Sequence, residues 1–114
     1  MTNLAPALMM LSAQLLIPVS DQVPRLNVAP SCRAAANVAL ADSQSFDVCM
    51  KDEDSARQEL VKVWQTYPVA DRGRCSSEAS LGGVDSYVDL LVCLQMTRDA
   101  EAMQKNQLKG AKRK

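Results

Sequence analysis

The sequence contains no histidine among its 114 residues. Histidine is the commonest general base in enzymes, and it completes the Ser-His-Asp and Cys-His nucleophile systems and many zinc sites. Its absence argues against most small hydrolases and metalloenzymes. We therefore predict a protein that is not an enzyme and has no catalytic residues, no cofactor and no metal site.

Aromatic residues and net charge are also scarce. Only four residues are aromatic, namely Phe46, Trp64, Tyr67 and Tyr87, which is too few for the stacking platforms that bind single-stranded nucleic acid. The 13 basic residues balance 13 acidic ones, so no overall field attracts a polyanion. We expect an aliphatic core and no nucleic-acid partner.

The sequence lacks an apolar run long enough to cross a membrane. Its most hydrophobic stretch, residues 4–19, includes Pro6, Gln14 and Pro18 and is shorter than the roughly 20 residues of a spanning helix. Its length suits the apolar region of a secretory signal. We predict that residues 1–30 are a signal-like segment and linker and that the protein is periplasmic or secreted; an apolar helix packed on the domain is the alternative.

Charge is distributed unevenly along the chain. Residues 31–104 hold seven basic and twelve acidic side chains, whereas residues 105–114 hold five basic side chains and no acid. The sequence thus predicts one helical domain over residues 31–105 and a basic disordered tail over residues 106–114. Membrane contact is expected only through the N-terminal segment or this tail, because basic clusters bind anionic lipid.

The region from Ser31 onward has helical periodicity and no strand pattern. Ser31 is a candidate cap for a short helix that ends near Leu40, and Asp42 and Ser43 can cap a longer one. The longer helix carries an apolar stripe, with one acidic member, at steps of three and four residues: Phe46, Cys49, Glu53, Ala56, Leu60, Val63 and Tyr67. We interpret the acidic cluster at residues 52–54 as a solvated complement to the helix dipole.

Two further helices complete the predicted domain. Pro68 opens the third, with Thr66 as its cap, and Gly82-Gly83 ends it. Ser86 and Asp89 form a start signal like a capping box for the last helix. The predicted fold class is all-α, with three or four short helices that form two disulfide-stapled helical hairpins.

The four cysteines support this arrangement. The midpoint between Cys32 and Cys49 falls on the first predicted turn, and the midpoint between Cys75 and Cys93 falls beside Gly82-Gly83. Residues equidistant from the turn of an antiparallel helix pair are neighbours, so each pair can reach disulfide distance. We therefore predict the disulfides Cys32–Cys49 and Cys75–Cys93.

Three alternatives to this pairing remain open at the sequence level. The chain could instead pair Cys32 with Cys75 and Cys49 with Cys93. The cysteines could bind zinc, although structural zinc sites use closer Cys-x₂₋₄-Cys pairs. They could also be free thiols in a reducing cytosol, since buried cysteine serves as a small apolar residue.

A family resemblance rests on residues from Cys32 to Ala100. Its most specific part is the run Ser86-Tyr-Val-Asp-Leu-Leu-Val-Cys-Leu-Gln-Met96, preceded by Cys49-Met-Lys-Asp-Glu53. With these motifs the chain resembles a group of uncharacterised, short, four-cysteine exported proteins of alpha-class proteobacteria.

A second, more remote resemblance involves the spacing of a set of aromatic, basic, glycine and cysteine residues: Trp64, Tyr67, Arg72, Cys75, Gly82-Gly83, Cys93 and Thr97-Arg98. It is similar to the spacing in lysozyme-inhibitor-like helical domains of bacterial envelopes, although the segment between Cys49 and Trp64 is shorter here. This similarity implies an inhibitor-like role. It makes Trp64, Tyr67 and Arg72 a possible partner surface; core packing of Trp64 and Tyr67 is the alternative.

These features lead to two functional hypotheses. The first is a small exported, non-catalytic binding or inhibitor-like module with an unknown protein partner in the cell envelope. The second is a structural or interaction protein whose basic tail tethers it to anionic surfaces. The sequence does not predict the oligomeric state.

Overall fold

The computed structural model of the protein describes residues 21–38 and 45–112. These residues form four α-helices and two short 3-10 turns: α1 (Ala29–Ala36), α2 (Phe46–Val63), a turn at Trp64–Thr66, α3 (Val69–Ala79), a turn at Leu81–Gly83, and α4 (Tyr87–Lys112). None of these described residues lies in a β-strand. The predicted all-α fold class is confirmed.

The disulfide bonds join the helices in two pairs. Cys32 of α1 is bonded to Cys49 of α2, and Cys75 of α3 is bonded to Cys93 of α4, with Cα separations of 5.5 and 5.6 Å. The predicted connectivity and the two stapled hairpins are confirmed. The crossed pairing, the zinc site and the free thiols are therefore wrong for this structure.

The core lies where α2 and α3 pack against α4. Leu60, Leu90 and Leu94 are fully buried, and burial of such a side chain contributes roughly 2 kcal/mol each. The predicted stripe of α2 faces this core, because Cys49 and Ala56 are buried as well. The helical periodicity of the sequence thus identified the inner face of α2 correctly.

Helix α2 begins at a different cap from the one predicted. Asp42 and Ser43 lie outside the described residues, and the N-cap is Ser45, whose hydroxyl accepts a hydrogen bond from Val48 N at 3.2 Å. Serine at this position satisfies one of the N–H groups that the first turn leaves without a partner.

The N-terminal boundary of the domain is earlier than the sequence predicted. We call residues 21–28 the arm; it lies along the helices, and its Val28 belongs to the core. Helix α1 starts at Ala29 with Pro30 in its first turn, where proline is favoured because its missing N–H has no intrahelical partner anyway. Ser31 does not cap α1; its hydroxyl donates to the carbonyl oxygen of Asp85 at 2.7 Å.

Helix α3, in contrast, starts one residue later than predicted. Pro68 occupies the N-cap, and the Thr66 hydroxyl donates to the Val63 carbonyl at 2.6 Å instead of capping α3. The predicted break after α3 is confirmed. Gly82 and Gly83 have φ values of 74° and 72°, a left-handed conformation that residues with a Cβ adopt at a cost.

Helix α4 is longer than predicted. It continues through residue 112, although we expected a disordered tail from residue 106. Once a helix is anchored, each added residue gains a hydrogen bond without a new nucleation cost, and Gln104, Lys105 and Leu108 are good helix formers. At 1.5 Å per residue the 26 residues of α4 extend about 39 Å, and residues 99–112 are all exposed.

Among the described residues, no helix is both long enough and apolar enough to cross a bilayer. The apolar segment at residues 4–19, which we predicted to be signal-like, lies outside the described residues.

Candidate functional site

The arm is held against the helices by polar contacts at both of its ends. Leu26 N donates to the Tyr87 hydroxyl at 2.9 Å, and Asn27 N donates to Asp85 Oδ2 at 3.3 Å. At the other end, Gln65 Nε2 donates to the carbonyl oxygen of Asp21. Val23 and Leu26 pack against the core between these contacts. The arm is therefore an integral part of the fold and forms a fixed wall beside α2.

A cleft opens between this wall and α2. We call it the arm cleft; its volume is about 390 Å³, within the range of small-molecule sites. Trp64 and Tyr87, which are 3% and 7% exposed, contribute to its lining. Val61, which is 60% exposed, provides most of the apolar surface that solvent can reach, and the two aromatic side chains add a small part.

Two guanidinium groups also line the arm cleft. Arg25 comes from the arm and Arg57 from α2. Arg57 forms an ion pair with Asp54, with Nη2 3.1 Å from Oδ1, and both side chains are about half exposed. Such an exposed pair contributes little to stability. The cleft therefore places cationic donors beside an apolar surface.

The three residues predicted as a partner surface do not form an exposed surface in the structure. Trp64, Tyr67 and Arg72 are 3%, 5% and 5% exposed. The Arg72 guanidinium lies 5.6 Å from the Trp64 ring centroid, and the Arg98 guanidinium lies 3.8 Å from the Tyr67 ring centroid. The apolar stripe of α2 continues through these aromatic side chains, and arginines cover them. Of the three, Trp64 lines the arm cleft.

Arg72 is unusual because its side chain is buried with unsatisfied donors. Its Nε and Nη1 have no hydrogen-bond partner in the part of the chain that the structure describes. The contact with the Trp64 ring offsets part of this cost, since a cation is attracted to the face of an aromatic ring. Arg72 thus supports the position of Trp64 at the cleft, and it does not line the cleft itself.

The interpretation of the acidic cluster was wrong for Glu53. Its side chain is 5% exposed and accepts hydrogen bonds from Tyr87 N at 2.6 Å and Val88 N at 3.3 Å. Its other oxygen accepts from the Ser86 hydroxyl at 2.7 Å. Glu53 therefore caps the first turn of α4 from a different helix. The signal for this role was the one acidic residue at an inward position of the apolar stripe.

The start of α4 combines the predicted cap with this distant carboxylate. The Ser86 hydroxyl accepts from Asp89 N at 3.2 Å, as a serine cap does. In a capping box the side chain of the third helical residue accepts from the backbone N–H of the cap. Here Glu53 of α2 accepts instead from the Ser86 hydroxyl and from the N–H groups of Tyr87 and Val88. Asp85, one residue before the cap, accepts from the arm through Oδ2. These carboxylates hold the fold together.

The described residues contain no group of three or more histidine, cysteine, aspartate or glutamate side chains arranged to hold a metal ion. The cleft lining instead offers hydrogen-bond donors and aromatic surface, which suit the recognition of an organic ligand.

No family model, curated protein or solved structure matches the chain.

Proposed function

We propose that the protein is a small exported, non-catalytic binding module of the cell envelope, with the arm cleft as its binding site. The observation that carries this proposal is the cleft itself, which joins apolar surface and guanidinium groups on a disulfide-stapled frame. A rigid frame favours binding, because little conformational entropy is lost when the partner docks.

The chemistry of the lining supports binding more than catalysis. Its aromatic, aliphatic and guanidinium groups recognise a ligand, whereas proton transfer near neutral pH most often uses histidine, which the chain lacks. The carboxylates of Glu53 and Asp85 accept hydrogen bonds from backbone N–H groups that they hold in place. These structural roles account for the positions of both carboxylates.

The two disulfides suggest a non-reducing environment such as the periplasm or the cell exterior. The resemblance to exported four-cysteine proteins and the apolar residues 4–19 support export. An envelope partner, including an enzyme that the module would inhibit, is consistent with this location. The inhibitor-like role rests on the remote spacing resemblance.

Export can be tested by fractionating cells that express the full chain and measuring intact mass without reduction. We expect an oxidised protein in the envelope fraction, with a mature start no later than residue 21, because the arm from Val23 onward packs on the core. Recovery of the protein from the cytosolic fraction with free thiols would contradict the proposal. An envelope protein that lacks the arm would contradict the arm cleft as the binding site.

A second candidate function is the tether to anionic surfaces, and the projecting end of α4 favours it. Lys105, Lys109 and Lys112 are exposed along this end. Each lysine close to the surface of an anionic membrane contributes about 1 kcal/mol to binding, and this attraction weakens as salt is added. The end of α4 could therefore hold the protein at a negatively charged surface.

Deletion of residues 105–114 separates the two functions. Because residues 105–112 are exposed, we expect the deletion to change the free energy of unfolding by less than about 0.5 kcal/mol. A binding module should show the same weak binding to phosphatidylglycerol vesicles with and without these residues. Strong, salt-sensitive vesicle binding by the full chain that the deletion abolishes would favour the tether.

A further inference from the structure

We propose that the arm cleft binds an organic monocarboxylate with an apolar body, with Arg25 and Arg57 holding the carboxylate and Val61, together with the exposed parts of Trp64 and Tyr87, contacting the body. This inference deepens the proposed function, on which it rests, by naming the chemical class of the ligand. The guanidinium donors of Arg25 and Arg57 and the apolar surface beside them support it.

Arg25 is the principal candidate for binding the negative charge. Its side chain is exposed, lines the cleft, and makes no ion pair or hydrogen bond within residues 21–38 and 45–112. The arm that carries it is anchored nearby by the bond from Leu26 N to the Tyr87 hydroxyl. A guanidinium on a fixed backbone, whose donors have no partner among these residues, is suited to bidentate recognition of a carboxylate.

Arg57 retains donor capacity in spite of its ion pair. Its Nε and Nη2 contact a single oxygen of Asp54, at 3.4 and 3.1 Å, and Nη1 takes no part in that contact. A guanidinium carries five N–H donors, so Arg57 can donate to a second carboxylate. Asp54 offsets part of its charge, which makes Arg57 the weaker of the two cations.

The remaining lining limits the ligand to one negative charge and an apolar body. Asp21 also lines the cleft, and its carboxylate would repel a second anionic group on the ligand. Val61, which is 60% exposed, offers most of the apolar surface, and Trp64 and Tyr87, which are 3% and 7% exposed, add only their small exposed parts. A phenyl or alkyl group attached to one carboxylate therefore matches the cleft better than a dianion or a sugar.

The test titrates the full-length oxidised protein with 4-phenylbutyrate and, as a matched neutral probe, with 4-phenylbutyramide. Trp64 is the only tryptophan of the chain, so its fluorescence reports on the cleft directly. We expect the carboxylate to bind about fivefold more tightly than the amide, a ratio typical of partly exposed charged hydrogen bonds, and to weaken as salt is added. Equal affinity of the two probes would overturn the proposal.

Three variants locate the carboxylate site. Arg25→Gln and Arg57→Gln should each lower the affinity for 4-phenylbutyrate, by about fivefold and about twofold, with little change for the amide. Arg33→Gln is the matched control, because Arg33 is exposed on α1 outside the arm cleft. Arg25 is exposed and makes no ion pair or hydrogen bond in the described part of the chain, so its variant should fold normally. An Arg25→Gln protein that binds 4-phenylbutyrate as tightly as the unchanged protein would contradict the assignment.

Two sources can supply such a carboxylate, and a second pair of probes distinguishes them. An N-acetylated tripeptide that ends in phenylalanine is compared with its C-terminal amide. Tighter binding of the free-acid peptide than of 4-phenylbutyrate would assign the site to peptide C-termini, whereas weaker binding would assign it to small free acids. Either result supports the carboxylate class.

The ligand class and the proposed function can fail separately. An oxidised protein recovered from the envelope that binds neither carboxylate would refute the ligand class and leave the binding module in place. A reduced protein recovered from the cytosol would refute the envelope function, whatever the titration shows.

Discussion

Replacement of Glu53 by alanine is expected to lower the free energy of unfolding by about 3 kcal/mol. The carboxylate accepts from the Ser86 hydroxyl and from the first two N–H groups of α4. Removing it leaves buried donors without a partner, which costs about 1 to 3 kcal/mol for each fully desolvated group. Urea unfolding followed by circular dichroism measures the change.

Two further variants make this result specific. Glu53→Gln keeps the shape and one acceptor oxygen but turns an amide NH₂ toward the donors of α4, so we expect an intermediate loss of about 2 kcal/mol. Glu59→Ala is the control, because Glu59 is exposed on the same helix; its change should stay within about 0.5 kcal/mol. Equal effects of Glu53→Ala and Glu59→Ala would show that the cap does not stabilise α4.

Loss of the Cys75–Cys93 disulfide, by replacing both cysteines with alanine, is the second large effect that we expect. The bond closes a loop with a sequence separation of 18, and cross-linking a loop of this size contributes about 3 kcal/mol in the chain-entropy description. It also joins two helices of the core. We expect a global loss of about 3 kcal/mol in urea unfolding.

The matched variant removes Cys32 and Cys49, whose separation is 17. Here the expected result differs, because α1 has only eight residues and a helix of that length is marginal alone. We expect the amides of α1 to exchange much faster with solvent while those of α3 and α4 keep most of their protection. Uniform loss of protection in every helix would contradict this local role.

Several features of the fold were predictable because they depend on residues close together in sequence. The three-and-four spacing of Cys49, Glu53, Ala56 and Leu60 identifies the inner face of α2, and Gly82-Gly83 marks the turn before α4. The disulfide pairing follows from the same local information. Once two helices are joined by a short turn, residues equidistant from it become neighbours.

Other features depended on contacts between distant parts of the chain. The arm was interpreted as part of a linker because its prolines and lack of periodicity are typical of one, yet Leu26 bonds to Tyr87, 61 residues away. The same limit applies to the cleft. Its lining combines Arg25 with Arg57 and Trp64, and no motif in the sequence connects these positions.

The sequence by itself determined the helical class and the helix faces and favoured the observed disulfide pairs, since helical periodicity and turn residues act over a few positions. Only the tertiary structure decided which polar side chains are buried. Glu53 lies inside because the first two N–H groups of α4, which have no partner within their helix, meet it from 34 and 35 residues along the chain. Arg72 lies inside because its guanidinium packs over the Trp64 ring, whose face attracts a cation. Burial of a charged group requires a partner placed by the fold, and propensity and periodicity do not specify that partner.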